Sequence, residues 1–133
     1  MCSGGNSAGD ASMPTTQLTY WTRDRQRGER IPLEFLVAKQ TARNAALYGM
    51  TDRGSLTPGL RADINVIDYD RLHMHPPKVH YDLPMGGRRL LQQIDGYDAT
   101  IVSGVVTQRG GKPTGARPGR LVQGVQARPA MTQ

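Results

Sequence analysis

The chain has 133 residues, a formal net charge of +6 and a hydrophobic fraction of 37%, and aromatic residues make up only 5% of the chain. That length suits about one domain, and the scarcity of aromatics requires an aliphatic core. One cysteine excludes an intramolecular disulfide and a cysteine-cluster zinc site, and no apolar run approaches the ~18 residues that a membrane span needs.

The N-terminus lacks the charged start and apolar run of a signal peptide, so the expected location is cytoplasmic. A pI near 10.0 invites a nucleic-acid partner. The arginines, however, are dispersed over the whole chain, with no zinc-finger spacing, KH-type loop or aromatic RNP pattern. In Arg23-Asp24-Arg25-Gln26-Arg27-Gly28-Glu29-Arg30 they alternate with acids, the pattern of a solvated or ion-paired face.

Residues 1–16 are rich in Ser, Gly, Ala and Thr and read as loop. Residues 17–25 carry Leu18 and Trp21 and suit the start of a short helix, broken over 27–31. Pro32 then sits where a first helical turn tolerates proline. From Leu33 the spacing of Leu33, Leu36, Val37, Thr41, Asn44, Leu47 and Tyr48 predicts a helix over 32–48. Ala38, Ala42, Ala45 and Ala46 favour it, and Gly49 suits its end.

Pro58-Gly59 reads as a tight turn. It leads into an extended segment over 62–67, with Ala62, Ile64 and Val66 on one side and Asp63, Asn65 and Ile67 on the other. Residues 70–77 read as loop, 78–84 as extended, 85–87 as a turn, and 88–94 as a helical turn or irregular chain. Strands are expected over 97–102 and 105–108, turning at Ser103-Gly104, with a hairpin signal at Arg109-Gly110-Gly111-Lys112. A Gly/Pro-punctuated stretch follows over 114–125, and 126–133 reads as a disordered tail.

Several stretches, in this order, resemble one enzyme family. They are Leu18-Thr19-Tyr20-Trp21 with Arg23-Asp24-Arg25, Gly28-Glu29-Arg30-Ile31-Pro32-Leu33-Glu34, and Asp52-Arg53-Gly54 with Pro58-Gly59 and Ala62-Asp63. Further on come Asp82-Leu83-Pro84, Gly86-Gly87-Arg88-Arg89-Leu90, Gly96-Tyr97, Val102-Ser103-Gly104 and Thr114-Gly115-Ala116-Arg117-Pro118-Gly119-Arg120-Leu121-Val122. Together they look like the C-terminal portion of a D-aminoacylase-type metal-dependent amidohydrolase. The resemblance implies a zinc hydrolase that cleaves the amide of N-acyl-D-amino acids. It implies a (β/α)8 barrel with a small β-sandwich, metal-binding histidines early in the barrel, and a late aspartate in a Ser-Asp-Gly-Gly-Ala-His pattern. A barrel of that kind takes about 250 residues, more than this chain holds.

The expected fold is therefore an α+β fragment. Residues 1–50 would end the barrel, 51–125 would supply C-terminal strands of the β-sandwich, and 126–133 would form the tail. Where the late family motif would stand, the chain has Cys2-Ser3-Gly4-Gly5-Asn6-Ser7, with Ser3 at the aspartate position and Ser7 at the histidine position. A serine hydroxyl does not serve as a carboxylate base at neutral pH, so no catalytic residue is assigned. Asp10, through a shifted loop, is the alternative.

His73 and His75, one residue apart, share one side of an extended segment and could share a metal. Pro76-Pro77 follows at once, and His80 and Asp82 are merely near, so no third ligand is marked and no metal site is assigned. Cys2 lacks a neighbouring base. Asp63 and Asp68 read as turn and cap groups, and Arg88-Arg89 as ion-paired rather than ligand-binding. The chain itself then carries no cofactor; zinc belongs to the full-length family. The expected partner is another copy of the chain, or a chain that supplies the missing barrel. Two other readings stand beside this one: a non-catalytic module that completes such a barrel, and a small basic nucleic-acid binder.

Overall fold

A computed structural model describes residues 8–124. It is an α+β arrangement of two helical rods and three antiparallel sheets. Helix α1, Ala8–Thr16, runs on through wider π-type turns over Gln17–Asp24. The second rod is α2, Leu33–Ala38, then π-type turns over Lys39–Arg43, then α3, Asn44–Leu47.

Of the loop expected over residues 1–16, the first part, 1–7, lies outside the described residues, and the helix at 8–16 replaces the rest. Its composition is unfavourable and it holds Pro14, yet tertiary contacts hold it, as they do most protein helices. The Thr15 hydroxyl bonds the Tyr97 hydroxyl at 2.9 Å, and Gln40 Nε2 donates to the Pro14 carbonyl at 3.0 Å. Thr16 and Thr19 donate to the carbonyls of Ser12 and Thr15, each at 3.1 Å, and Thr22 donates to that of Leu18. Such back-bonding bends helices, and it lies in and beside the stretch where the turns widen.

The second rod starts one residue later than expected. Pro32 is extended, with ψ 136°, and caps the helix instead of joining it. The far end closes as predicted at Gly49. Gly49 has φ 67°, its N–H bonds the Ala46 carbonyl at 3.1 Å, and the Met50 N–H bonds the Ala45 carbonyl at 2.8 Å. Those two bonds form a Schellman motif, which satisfies carbonyls the helix would otherwise leave open.

The strands are β1 Ile64–Ile67, β2 His73–Met74, β3 Lys78–His80, β4 Arg89–Leu91, β5 Ile94–Asp95, β6 Tyr97–Val102, β7 Val105–Arg109 and β8 Lys112–Pro113. The main sheet has the order β1-β6-β7-β8, and β2-β5 and β3-β4 are separate pairs. Both expected turns are present in the main sheet: Ser103-Gly104 has φ 51° and 78°, and Gly110-Gly111 has φ 53° and 76°. Two central residues at positive φ give the twist that suits a two-residue hairpin.

Three strand expectations are corrected. Within 88–94 there is no helical turn: Arg89–Leu91 is strand, paired with β3, and Ile94 begins β5, paired with β2, while 88, 92 and 93 stay irregular. Residues 70–77 are not all loop, since they contain β2. The extended run expected over 78–84 stops at His80. Long-range pairing decides such short segments, which local propensity does not distinguish.

The core is small. Leu18, Leu36 and Leu72 are buried together, with Ile31, Leu33, Ile67, Ile94 and Tyr97 packed against them. It therefore lies where the two rods meet β1, β5 and the first residue of β6. In β1 it is Ile67 that reaches this core, while Val66 is 44% exposed. A register shift between Val66 and Ile67 breaks the alternation expected over 62–67.

Candidate functional site

The residues at the position of the late family motif, Cys2, Ser3 and Ser7, lie outside the described residues. Asp10 falls in the backbone of α1.

His73 and His75 lie at β2. Their rings meet edge-to-face with centroids 4.9 Å apart. His75 Nε2 is 2.6 Å from Asp95 Oδ2, and Gln93 Nε2 donates to the other Asp95 oxygen at 3.2 Å. These bonds, that to His75 foremost, hold the Asp95 carboxyl below the usual carboxylate range. Gln92 Nε2 donates to the His75 carbonyl at 2.9 Å and fixes the backbone. His80 and Asp82 belong to a different strand pair: His80 stands opposite Arg89, whose guanidinium clasps Asp82. The four residues are therefore not brought together.

These donors do not fit a catalytic zinc. Such a site needs three protein ligands and an oriented second shell. His75 already spends its Nε2 on Asp95, and among the described residues no group of three His, Cys, Asp or Glu side chains is placed to hold a metal.

The most connected polar cluster joins the second rod to the main sheet, and it uses the stretch around Pro58-Gly59. Arg53 clasps Asp52 through Nε and Nη2 at 2.9 and 3.0 Å, and its Nη1 reaches Asp63 at 3.0 Å. Arg61 lies 3.6 Å from Asp63 and donates from Nε and Nη2 to the Ser103 hydroxyl at 3.0 and 2.6 Å. Asp63 Oδ1 accepts the Ser103 N–H at 2.7 Å. The Arg53 hydrogen bond holds the buried Asp52 carboxyl below its ordinary range. Asp63 is thus a turn-fixing group that spans 40 residues of sequence.

A second cluster fixes the first rod. Arg23 donates to the carbonyls of Tyr69 at 2.6 Å and Leu72 at 2.8 Å, pairs with Asp24 at 2.7 Å, and stacks over the Tyr69 ring at 5.4 Å. Asp68 accepts the Arg71 N–H at 3.1 Å, and Arg71 also reaches Asp98 at 2.9 Å. Arg23, Arg53, Arg61, Arg71 and Arg89 each lie within 4.0 Å of an aspartate. Those five arginines therefore tie separate parts of the fold together through aspartates and carbonyls.

Residues 5–108 match the model of the amidohydrolase family. The chain belongs to that family. The match takes in both helical rods and the sheet as far as β7, and it stops short of Arg117 and Arg120. No curated protein and no solved structure matches this amidohydrolase chain.

Sequence reasoning missed Arg61, Ser103, Arg117 and Arg120, which border a common open cleft of about 460 Å³. Two signals for it are present in the sequence: Arg61 directly follows the Pro58-Gly59-Leu60 turn, and Arg117-Pro118-Gly119-Arg120 places two guanidinium groups around a Pro-Gly corner.

Proposed function

We propose that this amidohydrolase chain is the C-terminal portion of a D-aminoacylase-like, zinc-dependent hydrolase of N-acyl-D-amino acids, working in the cytoplasm. In that reading residues 1–50 end the barrel and 51–125 supply strands of the β-sandwich. The observation that carries it is the family match over residues 5–108, which spans the helix-to-sheet order expected of such a portion. A complete barrel takes about 250 residues, so the metal-binding histidines and the base would come from outside the chain, from a barrel that these rods and strands complete.

The large exposed surface supports a role in completing another body. The chain exposes 10156 Å², whereas a compact protein of its 14.5 kDa exposes about 6,900 Å². With the sixteen undescribed residues allowed full exposure, the rest still exposes about 1,300 Å² more than a compact body of its size. One side of a standard protein interface covers about 800 Å².

The purified chain, assayed with several N-acetyl-D-amino acids and added zinc, is expected to show no turnover. The reading fails if turnover survives repurification and disappears in Asp10→Ala. Supplying the barrel portion of a D-aminoacylase in trans is the positive arm, with complex formation read by co-elution.

A further inference from the structure

We propose that the cleft between Arg61, Ser103, Arg117 and Arg120 binds a small ligand through a phosphate monoester group. Its volume of about 460 Å³ falls within the ~300–1,000 Å³ usual for small-molecule sites. Its lining is Arg61, Ser103, Arg117, Pro118, Gly119 and Arg120, three arginines and a serine among six residues.

The charges around it do not cancel. Arg53 and Arg61 share Asp52 and Asp63, two cations against two anions. Arg117 and Arg120 have no acidic partner among the described residues, and both are exposed. The local excess is thus two positive charges, which matches a phosphate monoester near neutral pH, at about −1.5 to −2. A planar guanidinium fork suits two oxygens of one phosphate group.

The remaining wall is pre-set. The Ser103 oxygen accepts from Arg61 Nε and Nη2, so its own proton is left for another acceptor. Asp63 holds the Ser103 backbone N–H at 2.7 Å, in a hairpin turn where Ser103 has φ 51°. The turn and Arg61 are therefore fixed before any ligand arrives, and fixing donors in advance lowers the cost of binding. The segment with Arg117 and Arg120 lies beyond the family match, which ends at residue 108. The lining and charge of the cleft, rather than the hydrolytic reading, carry the assignment.

The test titrates phenyl phosphate into the full chain, with amide NMR shifts as the first readout. Saturable shifts are expected at Ser103, Gly104, Gly119 and Arg120. Arg117→Gln and Arg120→Gln should each weaken the Kd by about tenfold, the scale of a lost charged hydrogen bond. Arg109→Gln removes the same charge outside the cleft and should change it less than about twofold, since it takes away only screened long-range attraction. Benzoate, a monoanion of similar shape, should bind at least about tenfold more weakly than phenyl phosphate. Equal losses in all three variants, equal binding of benzoate, or absence of shifts at these amides would each overturn the proposal. So would a spectrum in which residues 103–120 show no dispersed signals, since the cleft would then not be formed.

Discussion

Arg23 shows how one side chain fixes the junction of rods and sheets. Its guanidinium satisfies the carbonyls of Tyr69 and Leu72 while its Nε holds Asp24, and Leu72 beside it is fully buried. Lysine keeps the charge but loses the fork, so at least one carbonyl is left without its donor. Arg23→Lys should therefore cost about 1–2 kcal/mol in urea unfolding; a change under about 0.5 kcal/mol, the range of ordinary surface substitutions, would contradict this account. The aspartates give a second expectation at this scale. Asp24, Asp52, Asp68, Asp82 and Asp95 are all held below their ordinary range, in each case first by a side-chain bond from Arg or His. A folded-state value below the unfolded one, about 3.9, stabilises fully above that pH and is lost as pH falls through the folded value. The Tm should hold from about pH 7 to 5 and fall below about pH 4. Asp52→Asn should flatten part of that fall. A Tm unchanged between pH 5 and pH 3 would show that these pairs do not stabilise the fold.

At the scale of elements, the turn at Gly96 is where the sheet closes on the core. Gly96 has φ +95°, and a Cβ there would lie 2.7 Å from the Leu72 Cα and 3.0 Å from the Asp68 carbonyl oxygen. Its own carbonyl accepts the Asp68 N–H at 2.8 Å. Gly96→Ala should thus combine backbone strain with a backbone clash, a loss of about 2–4 kcal/mol. Gly59→Ala, at φ +87° with nothing within 4 Å of the new Cβ, should show strain alone, about 1–2 kcal/mol. Equal urea midpoints for the two variants would mean that the approach to Leu72 carries no weight. The same contrast explains what the sequence disclosed. The second rod, its end at Gly49 and the β6–β7–β8 hairpins follow from local periodicity and turn chemistry, and those are the elements found. Helix α1, β2 and β5 depend on partners 20 or more residues away, such as Tyr97 for Thr15 and Asp95 for His73, and β4 depends on β3 across an intervening turn. The arginine cleft escaped for the same reason. Arg61 and Arg120 border one cleft only after the sheet has folded, whereas His73 and His75 are close in sequence already.

On the scale of the whole molecule, the buried set is too small for the apolar surface around it. Leu18, Leu36 and Leu72 form the buried centre. Leu47 at 78%, Tyr48 at 70% and Leu56 at 82% exposure line the end of the second rod and the segment after it. Val37, expected in the packed stripe of that helix, is 44% exposed. Covering side chains of this kind is worth about 1.5–3 kcal/mol each. That is large beside the roughly 5–15 kcal/mol of net stability in an ordinary domain. Uncovered apolar faces and short sheets with open edges both promote association. The isolated chain is therefore expected to self-associate, with a broad melt whose midpoint depends on concentration. Sedimentation velocity across a concentration series should show dimers or larger species, and Leu47→Glu combined with Leu56→Glu should shift the distribution toward monomer. Binding of the barrel portion in trans should act in the same direction and sharpen the melt, because a partner that binds only the folded form stabilises it. A monodisperse monomer with a sharp cooperative melt would show that the chain needs no cover for this surface, and the reading as part of a larger amidohydrolase would fall with it.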